Sequence, residues 1–389
     1  MSRGSSWEQA FNVLCVRLDN MGDVLMTTPA MRALKQARPE RRLTLLASRA
    51  GAALMPFLPD IDEVIAYDAP WVKHEGHDSV ADLGIVRRLR RSQFDAAIIF
   101  TVYSQSPLPA ALMCRLAGIP LVMAHCRENP YGLLSDWIRE TEPGKSIRHE
   151  AQRQLDLVGK AGAFHHESRL SFATRSRDRR SLHEKLAARK VALGDRWMVA
   201  HCGASAPSRR YPAEYFAEAL RRIGNRAGPI MLTGDVSERL LIRQVSRMCG
   251  VAVPLVDVAG DLSLGEFACL VEDAALLLSN NTGPVHLAAA LGTPVVDLYA
   301  LTNPQHTPWR VPHRVLYHDV PCKYCYRSVC PEAHHACLRG VSPETVCEAV
   351  LDLLNETRPS SPRQFAGSDC EALCKSHCKP HLELENGAC

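Results

Sequence analysis

Short apolar runs alternate along this chain with longer stretches whose apolar residues recur every three or four positions. Residues 12–18, 42–47, 63–67 and 95–100 are runs of strand length. Between them, the stretch from 24 to about 38 places Ala30, Ala33, Leu34 and Ala37 on one helical face, and 79–91, 108–117 and 152–161 also carry a helical period. The pattern restarts in the second half. Strands are expected at 197–201, 229–233, 274–278 and 295–299. Helices are expected up to about 226 and 248, and over 264–272 and 343–354. Strand and helix in alternation predict an α/β fold with parallel sheets covered on both faces. Composition turns polar and basic over 168–180, which sets the expected linker. The expected division is 1–178, 179–356 and a tail, 357–389, in which Pro359, Ser360, Ser361 and Pro362 predict little packed structure. No short-period repeat is present.

Three loops between these elements carry candidate chemistry. Residues 279–294 join two strands through a punctuated helix: Thr282 is the expected N-cap, Pro284 sits in the first turn, Gly292 closes the helix and Pro294 lies beyond it. Such a loop offers backbone N–H groups at a helix N-terminus, a seat for phosphate, with His286 beside it. After the first strand comes Asp19-Asn20-Met21-Gly22-Asp23. Gly22 is expected to let the backbone turn tightly. Asp23 falls at the carboxyl end of the strand, where open α/β sheets keep their ligands, either as a helix cap or as a reactive carboxylate. The third loop runs from Cys202 through Gly203, Ser205, Arg209 and Arg210 to Pro212.

The net charge of +4 over 389 residues excludes a strongly basic nucleic-acid binder, although the runs 87–91 and 175–180 can face phosphates or acidic lipid. No run approaches the ~20 apolar residues of a membrane helix, and no apolar signal core precedes Phe11, so a cytoplasmic location is expected. Fifteen cysteines in a reducing compartment point to thiols and metal ligands. Cys322, Cys325, Cys330 and Cys337, within 321–339, can converge on one zinc or on a single iron; free thiols or a redox disulfide are the other reading. Cys370, Cys374, Cys378 and Cys389, with His377 and His381, form either a second weak site or a reactive tail.

Taken together, the loops 17–30, 203–212 and 281–294 resemble glycosyltransferase family 9, the ADP-heptose:lipopolysaccharide heptosyltransferases, and the resemblance runs in order through about residues 12–355. It implies a GT-B fold, two Rossmann-like domains facing a cleft. The N-terminal domain would hold the acceptor and the C-terminal one the nucleotide-sugar. It also implies inverting transfer of a heptose or similar sugar from an ADP-sugar to a lipid-linked oligosaccharide at the inner face of the cytoplasmic membrane, where peripheral contact is expected. Asp23 matches the family's base. Gly203, Ser205, Arg209, Asn281, Thr282, Gly283 and His286 match its nucleotide-sugar site, and some protein-modifying relatives carry a cysteine-bound iron. Three positions depart from the family pattern: Asn281 stands where many members have aspartate, Arg209 where lysine is common, and Cys202 where proline is frequent. The family's nucleoside-contacting glutamate has no clear match; Asp235 is near. Transfer to a protein side chain, and a non-catalytic scaffold assembled through the cysteine module, are the alternatives; the joint presence of Asp23 and Arg209 argues against the scaffold.

Overall fold

A computed structural model describes residues 6–72, 78–164, 167–191, 193–194 and 196–357. The tail cysteines and histidines lie outside the described residues. The first sheet contains β1 (Asn12–Arg17), β2 (Arg42–Ala47), β3 (Glu63–Ala66), β4 (Ala96–Ile99), β5 (Leu121–Cys126) and β6 (Asp136–Arg139), in the order β3-β2-β1-β4-β5-β6. The second contains β7 (Met198–His201), β8 (Ile230–Thr233), β9 (Leu255–Asp257), β10 (Leu276–Asn280), β11 (Val295–Leu298) and β12 (His313–Leu316), in the order β12-β11-β10-β7-β8-β9. Every pairing in both sheets is parallel.

Helices cover both faces of each sheet, so the central strands are buried on both sides; β4 and β11 are buried along their whole length. The strands that the periodicity did not single out are β5, β6, β9 and β12. Three of them are sheet edges with part-exposed, mixed sequences such as Asp136–Arg139. β5 is separated from the helix Leu108–Leu116 by four residues, and the two apolar runs merge in the sequence.

The expected linker is more ordered than its polarity suggests. Phe172 stacks on Phe57 at 4.6 Å, Ala173 N–H donates to Phe57 O at 2.9 Å, and Ser171 N–H donates to Thr28 Oγ1 at 2.8 Å. The basic run then opens the helix Ser176–Ala188, whose Leu182 and Leu186 pack with Trp197 and Val199 under the second sheet. Arg179 pairs with Glu272 and Asp273, and Arg175 with Asp178 at 2.6 Å. Much of this run is therefore matched by nearby carboxylates rather than left as a free basic face.

Apolar packing also crosses between the sheets. Leu287, from the helix Gly283–Leu291, joins Val24, Leu25 and Leu34 of the helix Met21–Ala37 in one cluster, and Met26, Ala151, Leu170 and Ala289 form another. Each sheet reverses its winding beside its first strand, between β1 and β4 and between β10 and β7. Open α/β sheets bind ligands at the carboxyl ends of the strands flanking such a reversal. Here the loops from both reversals meet in one cleft.

Candidate active site

The cleft is a cavity of about 280 Å³. The first sheet contributes Asp19, Asn20, Gly22 and Asp23 from the segment after β1, and Gln105 from the segment after β4. The second contributes Ser205 and Arg209 after β7, Asn281, Thr282, Gly283 and His286 after β10, and His306 after β11. Of the residues singled out in the sequence, Asp23, Ser205, Arg209, Asn281, Thr282, Gly283 and His286 thus line one space. Gly203 lies behind it, and the four cysteines do not line it. A larger hollow of about 750 Å³, with Gln152, Asp156 and Lys160 on its wall, holds none of these loops.

Asp23 stands at the third position of the helix Met21–Ala37, not at its N-cap, which is Asn20. Its Oδ2 accepts the Asn20 N–H at 3.0 Å. Its Oδ1 meets Arg17 Nη2 at 3.2 Å. Arg17 is fully buried and also meets Glu150 Oε1 at 2.6 Å and Asp19 Oδ2 at 3.0 Å. Burial opposes its charge, but Glu150, Asp19 and Asp23 more than restore it, and its pKa rises. Burial pushes Glu150 up too, yet Arg17, Arg153 and His306 bring it below its ordinary value. At Asp19 burial wins over Arg17 and the pKa is raised.

Gly22 is required for a reason other than a tight turn. A Cβ there would lie 2.7 Å from His286 Cδ2, so the absence of a side chain on the first half is what admits a ring from the second. Burial, with His306, His149 and Arg209 nearby, drives the His286 pKa well down. His306 falls to about 4, again mainly through burial. Both rings are neutral at physiological pH, so the 4.0 Å approach of His306 Nε2 to Asp23 Oδ1 is not an ion pair there.

The N-terminus of the helix Gly283–Leu291 offers fewer donors than its sequence promised. Pro284 has no N–H, and the Val285 N–H is spent on Thr282 O at 3.0 Å. Thr282 and Gly283 are left as the donors nearest the cleft. Arg209 faces the cleft beside them, whereas Arg210 is turned away and donates through Nε to Ala204 O at 2.7 Å. Asp235 caps the next helical turn, accepting from Ser237 N–H at 2.7 Å and Glu238 N–H at 3.1 Å. It is Glu238 that reaches back to the loop after β7, where its carboxylate occupies the place a Cβ on Gly203 would take. Burial raises the Glu238 pKa.

Residues 83–336 match the family model described as glycosyltransferase family 9 (heptosyltransferase). The chain belongs to glycosyltransferase family 9. Lipooligosaccharide heptosyltransferase 2 of Haemophilus ducreyi is 24% identical over 357 residues, covering 86% of this chain and 97% of that protein. Among solved structures, a family 9 glycosyltransferase from Veillonella parvula superposes with a TM-score of 0.71 at 22% identity, covering 89% of this chain and 97% of that one. The ADP-heptose lipopolysaccharide heptosyltransferase II of E. coli gives 0.69 at 20% identity, covering 90% and 100%. These likenesses establish the GT-B arrangement of the two sheets, and the chain is a glycosyltransferase.

In this family 9 enzyme Asn281 lines the cleft and bonds neighbours of its own half. Both amide hydrogens point inward, to Asp297 Oδ2 at 2.8 Å and to His306 O at 2.9 Å. The side-chain donors of Asn281 are therefore engaged within the second half. Asp297, on β11, is fully buried, and burial raises its pKa well above the usual carboxylate range despite the Asn281 bond. Sequence reasoning missed Asp297, Arg17 and Glu150, although an arginine inside the apolar run 12–18 is itself a signal of buried pairing.

The raised Asp297 pKa gives a stability prediction. The native state keeps the proton that the unfolded chain releases above pH ~4. Stability is then lost as pH rises from there to the folded pKa, by about 1.4 kcal/mol per unit. Asp297→Asn keeps an acceptor for Asn281 and has nothing to titrate. Its melting temperature relative to the parent should climb between pH 5 and pH 8; a difference that does not change with pH rejects a protonated Asp297.

Proposed function

We propose that this enzyme transfers a heptose, or a closely similar sugar, from an ADP-sugar to a hydroxyl of a lipopolysaccharide core, with inversion at the anomeric carbon. The observation that carries the reading is the shared cleft: a carboxylate from the first half and a cation with helix-end donors from the second half line one cavity. The relatives' activities support the sugar and the acceptor class. In this reading 1–178 binds the acceptor and 179–356 the donor.

The chemistry follows from charge. An acceptor oxygen attacks the anomeric carbon and must shed its proton as it bonds. Asp23 takes that proton. The bond to the diphosphate breaks on the opposite face, and negative charge grows on the leaving phosphate. Arg209 and the Thr282 and Gly283 N–H groups stabilise it. Asn281, with its amide hydrogens bonded to Asp297 and the His306 carbonyl, positions the loop. Glu238, beside Gly203, is the proposed acceptor of the nucleoside's hydroxyl hydrogens, in place of Asp235. His286 and His306, being neutral, supply no cation of their own.

We also propose one zinc or iron ion at Cys322, Cys325, Cys330 and Cys337. Among the described residues no group of three or more His, Cys, Asp or Glu is arranged as a metal site. The donor set nonetheless fits a soft metal. Burial raises the Cys337 pKa, and Cys330, Cys322 and Cys325 add to the rise, which puts those three thiols near it. An ion there ties the loop together and takes no part in the transfer.

Three outcomes are expected. Asp23→Asn keeps an acceptor for the Asn20 N–H but not the basicity, so turnover of the folded variant should fall about 10²–10⁴-fold, with a lower melting temperature because buried Arg17 loses one charged partner; near-parental transfer by the folded variant leaves only the capping role. Arg209→Ala should weaken ADP binding by roughly 1.5–3 kcal/mol, with partial recovery in Arg209→Lys; unchanged affinity by calorimetry rejects the contact. Elemental analysis of protein purified under reducing conditions should find about one ion per chain, lost in Cys325→Ser; a metal-free parent rejects the site.

A further inference from the structure

The segment between Cys325 and Cys330 bears on the cleft directly. Tyr326, Arg327 and Ser328 line the same cavity as Asp23 and Arg209. Their backbone is fastened to both loops of the donor half. Tyr326 N–H donates to Thr302 O at 2.9 Å, and Ser208 donates through N–H to Ser328 O at 3.0 Å and through Oγ to Arg327 O at 2.7 Å. Tyr324 and Tyr326 have φ of 62° and 55°, a left-handed conformation that non-glycine residues adopt only when held. The holding elements lie on the inner side, where Cys322, Cys337 and Ala336 pack against Tyr299, Leu301 and Val320. On the outer side, the Tyr326 ring stands edge-on to Tyr103 of the first half at 5.9 Å.

The charge balance of the cavity gives this wall a task. A nucleoside diphosphate brings negative charge on two phosphates. Arg17 is already matched by three carboxylates, Arg210 is tied to a backbone carbonyl, and the cleft histidines are neutral. Among the described residues lining the cavity, the remaining cations are Arg209 and Arg327. No described carboxylate lies within ion-pairing distance of the Arg327 guanidinium, and its backbone is anchored at Ser208, the neighbour of Arg209. We propose that Arg327 is a second diphosphate-binding residue and that the four-cysteine loop is the fixture that holds it in the cleft. This rests on the transferase reading above.

Calorimetry with ADP tests it. Arg327→Ala, a truncation at an exposed position, should weaken ADP binding about tenfold, the size of one charge-assisted hydrogen bond, and Arg327→Lys should recover part of the loss. Cys325→Ser should weaken ADP binding as well. That second loss should be absent when measured in the Arg327→Ala background, because both changes remove the same contact; a purely structural defect would add to it. Parent protein that binds no ADP rejects the transferase reading itself. Parent binding that Arg327→Ala leaves intact rejects Arg327 alone, as does an effect confined to the KM of the acceptor. Additive losses overturn the role of the cysteine loop as its fixture.

Discussion

The buried guanidinium of Arg17 is the constraint on which the first half of the cleft depends. A charge removed from water persists only when paired and hydrogen-bonded, and taking one partner from such a group costs about 3–5 kcal/mol. Arg17 closes β1, Asp19 and Asp23 follow it in the loop and the first helical turn, and Glu150 comes from a helix far along the chain. One side chain thus ties three elements together and sets where the Asp23 carboxylate can stand. Glu150 extends the tie: its backbone N–H donates to Gln305 O at 3.1 Å, on the segment after β11 that also carries His306. The carboxylate proposed as the base is therefore referenced to the second half through hydrogen bonds as well as through packing.

The two halves also meet where Gly22 faces His286. The ring of one fills the space left by the missing side chain of the other, and Leu287, one residue on, enters the first half's core. Because the ring is buried, it is neutral, and neutrality is what allows it to sit among Arg209, His306 and His149 without repulsion. Burial thus does two things at this contact: it sets the spacing of the halves and keeps the local charge simple.

Much of this was legible in the sequence, and the parts that were not share a cause. The loop 279–294 announces itself by strand, small residues, proline and glycine in order, and Asp23, Arg209 and His286 were found because they lie within a few residues of such punctuation. What the sequence could not disclose were pairings between distant segments. Glu150 stands 133 residues from Arg17, and Asp297 stands 16 residues from Asn281 on the next strand. The role of Gly22 was misread for the same reason: a glycine needed for a turn and a glycine needed for a neighbour's ring look identical in one dimension. Edge strands such as β6 and β9 escaped because half-exposed strands have no continuous apolar run.

The division of charge across the cleft gives these pairings a common logic. After Arg17 is counted against Asp19, Asp23 and Glu150, the first half presents an excess of carboxylate. The second half presents Arg209, Arg327 and the N-terminal end of a helix, while Asp297 is buried behind Asn281, where burial raises its pKa well above the usual carboxylate range, and Glu238 stands beside Gly203. In the proposed reaction a proton moves toward the first half while negative charge grows toward the second. The field across the cleft favours both movements. It is built by the fold before any substrate arrives, so little of it must be reorganised during transfer. Asn281 fits the same scheme: its amide, held by Asp297 and the His306 carbonyl, brings no formal charge to the side where negative charge grows.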